Sequence, residues 1–287
     1  METRTAISND GSRKYTLRLG VGLQMEASFF KIMNRERPNI ACVSTQLGCA
    51  VACPFCAAAH APFFRNLTKE EMLLEISSIL HDQPADQILR EGFEVSFMGT
   101  GEPLANLSNV LGVVEQIHIR YPRVTRVSVS TAGPAARIYA LAHAMPVLPA
   151  VHLQISLHAT KDEIRQKLVP KAPDSIANLL QAGHRYHEKT GDQVYLNYVL
   201  LKGLNDSEQD ARWLAQLDRE AFYVKIAALN QTAAMPSDIV GASMDEIRAF
   251  SRRLDDYQVP HKIFVGDGLD VEASCGQLAA TPREVHA

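Results

Sequence analysis

Short apolar runs alternate with longer amphipathic segments along most of the chain. Runs suited to buried parallel strands span 40–46, 94–98, 125–130, 151–156, 194–200 and 223–228, with a further one near 261–265. Helix candidates lie between them at 68–82, 105–120, 134–144, 174–189, 206–219 and 243–256. This order predicts an α/β protein built as one open, partial (β/α)6 barrel.

The residues before the first run predict an extension of the barrel. Residues 1–13 are polar and predict a frayed tail, whereas the short alternating segments of 14–38 predict a β-hairpin. The predicted division is therefore a tail and hairpin at 1–38, followed by a barrel core with a C-terminal segment at 39–287. A chain of 287 residues can bury one large core of this kind.

Composition limits the cellular compartments and the binding partners that we expect for the protein. The polar start does not resemble a signal peptide, and no apolar run reaches the length of a membrane span. We therefore expect a cytoplasmic protein with no membrane contact. The formal net charge of −3, from 29 basic and 32 acidic residues, lacks the basic excess that often accompanies binding of large nucleic acids. Five cysteines, an odd number without an export signal, argue against a disulfide framework.

Three cysteines with C-x3-C-x2-C spacing follow the first predicted strand, at Cys49, Cys53 and Cys56. Structural zinc sites take four ligands, and full iron–sulfur coordination also uses four cysteines. A three-cysteine loop instead predicts a [4Fe–4S] cluster with one iron left open. A partial zinc loop and buried structural cysteines are the alternatives. Near the start of a β/α chain, the spacing is typical of radical S-adenosylmethionine (SAM) enzymes, so the predicted cofactors are the cluster and SAM.

Polar or glycine-rich residues follow almost every predicted strand at the point where it ends. The carboxyl ends of barrel strands meet at one mouth, so we expect these residues to share a site. Those singled out as SAM-binding are Gly101, Glu102, Ser130, Ser156, His158 and Asn230.

Gly101 and Glu102 suit the methionine end of SAM, because a glycine permits close backbone approach and a carboxylate can accept from an ammonium. The alternative for Glu102 is a solvated side chain in a turn. Three neutral side chains suit ribose hydroxyls and adenine edges, although each could equally cap a helix: Ser130, Ser156 and Asn230. His158 could contact SAM or pack at the end of its strand.

Two cysteines remain outside the cluster motif. Cys42 lies within the first predicted strand, and Cys275 lies near the end of the chain. They could be buried free thiols, which is the default for cysteine. Because both flank the predicted barrel mouth, they could instead serve covalent catalysis.

The chain resembles the RlmN/Cfr family of radical SAM methyl synthases, which methylate an adenine ring of ribosomal RNA. The match runs from about Gly22 to Leu278, and all five cysteines fall on family positions. The segments that carry it are ACVSTQLGCAVACPFC, FFRNL, FMGTGEPLANL, VSTAG, ISLHATKDEIRQKLVP, YVLLKGLNDS and ASCGQL.

The resemblance implies a mechanism for the two spare cysteines. Cys275 would become S-methylcysteine, and a radical generated at the cluster would abstract hydrogen from that methyl. The methylene radical would add to an electron-poor sp2 carbon, and Cys42 would then attack the Cys275 sulfur and release the product as a disulfide forms. Glu26 matches a family proton acceptor, although a solvated hairpin carboxylate is equally consistent. An electron donor such as flavodoxin or ferredoxin is the implied partner.

Three departures from the family bear on the methyl acceptor. The N-terminal accessory domain has no full counterpart ahead of the hairpin. The segment HKIFVGDGLDVE before Cys275 lacks the family's arginines, and AAHAP replaces glutamines after the cluster loop. Fewer phosphate contacts favour a small acceptor such as a nucleoside, nucleotide or natural-product intermediate. The alternatives are an adenine of ribosomal or transfer RNA, or direct use of the 5′-deoxyadenosyl radical without methyl transfer.

Overall fold

The computed structural model describes residues 2–31, 39–60, 62–84, 91–172, 174–232 and 235–279. The strands in these ranges are β1 (Thr3–Ile7), β2 (Arg13–Gly20), β3 (Leu23–Phe30), β4 (Asn39–Cys42), β5 (Gln46–Leu47), β6 (Arg65–Asn66), β7 (Phe93–Phe97), β8 (Val124–Thr131), β9 (Val151–Ser156), β10 (Val194–Val199), β11 (Phe222–Ala227) and β12 (His261–Phe264). The α-helices are α1 (Lys69–His81), α2 (Leu107–Arg120), α3 (Ala135–Ala144), α4 (Asp162–Leu168), α5 (Ile176–Thr190), α6 (Glu208–Leu214) and α7 (Met244–Asp256).

The main sheet has ten strands in the order β1-β2-β3-β4-β7-β8-β9-β10-β11-β12. Its first four strands pair antiparallel, and every pairing from β4 to β12 is parallel. The parallel part contains six β/α steps and the closing strand β12, which confirms the predicted α/β fold. The short strands β5 and β6 form a separate two-stranded sheet beside the cluster loop.

Apolar and polar side chains alternate along the parallel strands, so that one face of the sheet forms the hydrophobic core and the other lines the interior of the barrel. On β10, Leu196 belongs to the hydrophobic core, whereas the next residue, Asn197, lines a cavity. On β11, Val224 and Ile226 belong to the core, and Lys225 between them lines the same cavity. Successive side chains of a strand point to opposite faces, so the helices cover one face and polar side chains fill the other.

The helices begin where their capping residues predict. Thr68 and Glu71 form a capping box at the start of α1. Ser207 does the same for α6 with Asp210, and Ser243 for α7 with Glu246. Each box satisfies backbone donors that the first helical turn leaves open.

Several sequence-based boundaries are wrong. The predicted frayed tail contains β1, which pairs along its whole length with β2. All five β1 side chains are exposed, so the sequence of β1 shows no alternation of apolar and polar residues that would predict a strand. The predicted strand 40–46 is interrupted after Cys42, and the predicted helix 206–219 is shortened to Glu208–Leu214.

Two further points concern the extension. Residues 32–38 of the predicted hairpin segment lie outside the described residues, whereas β2 and β3 form the expected antiparallel pair. β3 pairs directly with β4, so the sheet continues from the extension into the barrel. The division at residue 38 stays a prediction. Among the helices of the described ranges, none is both long and apolar enough to cross a membrane.

Candidate active site

A cavity opens at the carboxyl ends of the parallel strands. Ten of the twelve residues predicted for the site line it: Cys49, Cys53, Cys56, Gly101, Glu102, Ser130, Ser156, His158, Asn230 and Cys275. Cys42 and Glu26 are not among the lining residues. The strand-end residues are therefore brought together as expected, while the role of each stays a prediction.

The cluster loop is held in a tight conformation by close backbone contacts. Gly48 has a φ of +70°, and a side chain there would meet the Pro62 carbonyl oxygen at 2.2 Å. Ala52 also lies in the left-handed region, with a φ of 52°. The Cys56 amide donates to the Cys53 carbonyl at 2.9 Å, so the second and third cysteines are joined by one turn.

The three thiols of this loop form a donor set that suits iron. Burial raises the pKa of all three, and neighbouring thiolates raise the pKa of Cys53 and Cys56 further, that of Cys56 to about 12. The positive charge of bound iron would offset both the cost of burying the thiolates and the repulsion between them. In the described part of the chain, no group of cysteine, histidine or acidic residues converges on a single metal ion. In a cluster each thiolate binds a different iron, so the residues present fit a [4Fe–4S] cluster.

Glu102 is buried at the cavity wall and bound by three donors. Its Oε1 accepts from the Leu104 amide at 2.9 Å and from Thr131 Oγ1 at 2.6 Å, and its Oε2 accepts from the Ala132 amide at 2.8 Å. Burial raises the pKa of the carboxyl to about 7 despite these bonds. The alternative of a solvated turn residue is therefore wrong. Gly101, beside it, has a φ of +112° and packs against Gln46.

Ser130 and Ser156 lie on neighbouring strands of the cavity wall, and each has polar contacts of its own. The Asn197 amide donates to Ser130 Oγ at 2.9 Å. Asn197 is also paired in register with Ser156 on one side and Lys225 on the other. The Arg165 guanidinium donates to the carbonyl of Ser156 at 3.3 Å and to that of Ala132 at 2.8 Å.

His158 is a buried neutral imidazole. Burial lowers its pKa to about 3. Its Nδ1 accepts from the Val199 amide at 3.2 Å, and its ring meets Phe55 edge-on at 5.2 Å between centroids. It therefore packs at the end of its strand and also faces the cavity.

The segment that carries Cys275 is attached to the cluster loop and to the residues after β11. The Ala57 amide donates to the Gly276 carbonyl at 2.7 Å. The Asn230 side-chain amide donates to the Cys275 carbonyl at 2.9 Å and to Ser274 Oγ at 3.1 Å. Asn230 thus holds the Cys275 segment, a contact that its predicted part in SAM binding does not include.

Cys42 lies below this segment rather than in the cavity. It is 3% exposed and packs with Phe30 and Ala273. Burial raises the pKa of its thiol, and the Cys275 thiolate raises it further. All five cysteines are free. The two spare cysteines are therefore near neighbours joined through the Cys275 segment.

Glu26 lines a pocket beside the cavity, together with Lys14, His60, Glu272 and Gln277. Its carboxylate accepts from the Ala279 amide at 2.8 Å and pairs with the Lys14 ammonium at 3.3 Å. Burial raises the pKa of this carboxyl, against the effect of Lys14. Glu26 is 7% exposed, so the alternative of a solvated hairpin carboxylate is wrong.

Sequence reasoning missed cavity residues that lie within strands. Asn197 and Lys225 both line the cavity from mid-strand positions. The available signal was a polar residue flanked by apolar residues in a predicted buried strand, which places it on the opposite face from the core.

Comparisons with known proteins identify relatives of the chain. The family model described as the radical SAM superfamily matches residues 43–214. A probable dual-specificity RNA methyltransferase RlmN from Thermus thermophilus is 39% identical over 95% of this chain and 75% of that protein. A dual-specificity RNA methyltransferase RlmN from Geobacter sulfurreducens is 34% identical over 95% of this chain and 72% of that protein.

Solved structures give the same result. A radical SAM methyltransferase from Sphaerobacter thermophilus superposes with a TM-score of 0.85 at 32% identity, covering 96% of this chain and 80% of that one. The fold and the three-cysteine loop thus define a radical SAM enzyme, a class that uses a [4Fe–4S] cluster and SAM. Within that class, the chain belongs to the RlmN/Cfr family, and it is a radical SAM C-methyltransferase.

The expectation of a small-molecule acceptor is wrong. The relatives that match nearly the whole chain are named RNA methyltransferases. The expectation relied on three departures from the family and on a net charge of −3. Net charge sums the whole surface, whereas RNA binding needs only a local set of contacts.

Proposed function

We propose that the chain methylates an adenine of ribosomal or transfer RNA at a ring carbon, by way of S-methylcysteine at Cys275. The observation that carries the proposal is the position of Cys275 between the cluster loop and Cys42. Its neighbour Gly276 accepts a hydrogen bond from Ala57 of the cluster loop. The Cys275 thiolate also raises the pKa of both Cys56 and Cys42, after the larger effect of burial.

The relatives support an RNA acceptor. Proteins named RNA methyltransferases match 95% of the chain at 39% and 34% identity. The cavity is lined largely by neutral hydrogen-bonding side chains and apolar atoms, as suits a planar base removed from its stack. Since a base inside a stacked helix is out of reach, we expect the target adenine to enter this cavity from a loop or by flipping.

The lining residues that the sequence singled out have proposed roles toward the cofactors. When bound, the cluster and SAM supply a methyl group and a 5′-deoxyadenosyl radical. Three cysteines hold the cluster through sulfur: Cys49, Cys53 and Cys56. Gly101 and Glu102 hold the methionine end of SAM, because Glu102 Oε2 accepts one hydrogen bond and retains capacity for another. The nucleoside end contacts four further polar lining residues: Ser130, Ser156, His158 and Asn230.

The two spare cysteines carry the covalent steps. Cys275 sulfur first takes the methyl group, which then loses one hydrogen atom to the 5′-deoxyadenosyl radical. The methyl carbon bonds to the adenine ring carbon, and that ring carbon gives up its proton and one electron. The electron would return to the cluster, which is oxidised when it supplies the radical. Cys42 loses its proton and attacks that sulfur, so a sulfur–sulfur bond forms and the sulfur–carbon bond breaks. The electron pair stays on the product carbon, which takes up a proton to become the methyl group. Glu26, in the adjoining pocket, is proposed to accept the proton that the adenine ring carbon loses.

The decisive experiment is to trap the tethered product. A Cys42→Ala variant should accumulate RNA covalently bound to Cys275, detected by mass spectrometry after nuclease and protease digestion. The matched control, Cys275→Ala, should form neither S-methylcysteine nor the adduct. Ribosomal RNA fragments, transfer RNA, adenosine and AMP are offered separately under anaerobic conditions with SAM and reductant. Methylation of the nucleosides but not of RNA would overturn the acceptor class, and full turnover by Cys275→Ala would overturn the mechanism.

A further inference from the structure

A lysine lies within the cavity beside the residue proposed to accept the methyl group. Lys225 is 8% exposed and lines the same cavity as Cys275. A buried ammonium is costly to desolvate, so its position is expected to matter for the chemistry nearby.

Side chains on β9 and β12 hold the Lys225 side chain in place. Its Nζ donates to Gln154 Oε1 on β9 at 3.3 Å. The same nitrogen lies 4.2 Å above the centroid of the Phe264 ring on β12. An amide oxygen and a ring face both interact favourably with a cation, so these two contacts hold the Lys225 amine group in one place.

The strand that carries Lys225 also leads to the residue that holds the Cys275 segment. Asn230 follows β11 and donates to the Cys275 carbonyl at 2.9 Å. The lysine and the cysteine are therefore positioned by the same piece of chain. Burial raises the pKa of the Cys275 thiol, and the Lys225 ammonium opposes that rise.

We propose that Lys225 is a positioning residue for the methyl-accepting step, in which its ammonium stabilises the Cys275 sulfur as the anion that attacks the methyl donor. This inference rests on the proposed function. In that step the Cys275 proton leaves to solvent, and a bond forms between its sulfur and the methyl carbon. The donor's carbon–sulfur bond breaks, and the electron pair stays on the departing thioether.

Other charged or titratable groups around Cys275 do not supply this effect. Asp267, after β12, raises the pKa of Cys275. Cys42 on β4 and Cys56 on the cluster loop are electrostatically coupled to Cys275 and are neutral or anionic, so neither brings a positive charge to it. His152, on the strand of Gln154, has its pKa lowered to about 4 by burial and nearby cations, so it is uncharged at neutral pH.

The test measures the methyl-accepting step alone, in the cluster-loaded full chain with SAM but no reductant. The rate of S-methylcysteine formation at Cys275 is followed by peptide mass spectrometry across a pH series. Lys225→Met should move the pH midpoint upward, and a shift of one unit corresponds to about tenfold slower methylation below the midpoint. Lys225→Arg should restore the midpoint. Gln154→Leu, which keeps the charge but removes its hydrogen bond, should give a smaller upward shift.

Lys262→Met is the matched control. Lys262 is paired in register with Lys225, but its ammonium lies 4.5 Å from the Tyr195 ring and 5.9 Å from the Tyr223 ring. It should leave the midpoint unchanged. An unchanged midpoint in both Lys225→Met and Gln154→Leu, with normal S-methylcysteine, would overturn the role of Lys225 alone. Absence of S-methylcysteine from the unsubstituted protein would overturn both this role and the proposed function.

Discussion

Gly48 controls how the cluster loop leaves the barrel, and replacing it with alanine tests that control. Its φ of +70° lies in the left-handed region. A Cβ on this residue would lie 2.2 Å from the carbonyl oxygen of Pro62, 2.6 Å from its carbonyl carbon and 2.9 Å from Cα of Phe63. All three are backbone atoms, so no side-chain rotation can relieve the overlap.

The expected cost has two parts. Left-handed backbone costs a residue with a Cβ about 1–2 kcal/mol. Overlap with fixed atoms adds about 1–3 kcal/mol, as overpacking of a core does. We expect the overlap to be relieved by movement of the cluster loop. The segment after Pro62 cannot move easily, because the Phe64 amide donates to the Leu47 carbonyl of β5 at 2.9 Å. Cys49, the residue after Gly48, would move with the loop.

Gly191 provides the matched control. Its φ of +73° gives the same backbone strain, and nothing lies within 4 Å of the Cβ it would gain. Gly191→Ala should therefore lose about 1–2 kcal/mol of unfolding free energy and keep its iron. Gly48→Ala should lose more stability and most of its cluster, measured by urea unfolding, bound iron and visible absorbance. Equal losses of stability and iron in the two variants would refute the reasoning.

Two further predictions concern the cavity wall. Burial raises the pKa of the Glu102 carboxyl from 4.5 to about 7, so the folded state binds a proton that the unfolded state has lost between these values. The difference in unfolding free energy between the unsubstituted protein and Glu102→Gln should therefore change with pH. The unsubstituted protein should lose about 3 kcal/mol relative to the variant as the pH rises from about 4.5 to above 7, measured by urea unfolding at a series of pH values. A difference that stays constant with pH would contradict this. Asn230→Ala removes the side-chain hydrogen bonds to Ser274 and to the Cys275 carbonyl. S-methylcysteine should then form several-fold more slowly, while the iron content is unchanged. An unaltered rate would show that these bonds do not position Cys275.

The parallel strands could be predicted from sequence because burial on both faces leaves a strong apolar signal. The predicted run 151–156 coincides with β9, and 194–200 exceeds β10 by one residue. β1 gave no such signal, since its exposed side chains contribute nothing to the core and only its backbone pairs with β2. The short helix α4 was not predicted, and its N-cap residue, Lys161, makes no side-chain capping bond that would have marked its start.

The candidate site was predictable where it depends on cysteine spacing and on strand ends. Those features depend on local sequence and on the common direction of the strands. The contact between Ala57 and Gly276 was not predictable, because it joins two backbone groups far apart in the chain. Lys225 was not predicted because the expected site residues all lie at strand ends, whereas it points into the cavity from the middle of β11.

The segment around Cys275 has little regular structure of its own, so its position depends on what holds it. Ser28 Oγ on β3 donates to the Ala273 carbonyl at 2.9 Å, and Glu26 on the same strand accepts from the Ala279 amide. Asn230 and Ala57 hold the residues between these points. Elements from the extension, the cluster loop and the end of β11 thus fix one thiol. Cys42, which is proposed to attack the Cys275 sulfur, packs with Ala273 of this segment. We therefore expect the disulfide to form by movement of the segment and not by rearrangement of the barrel.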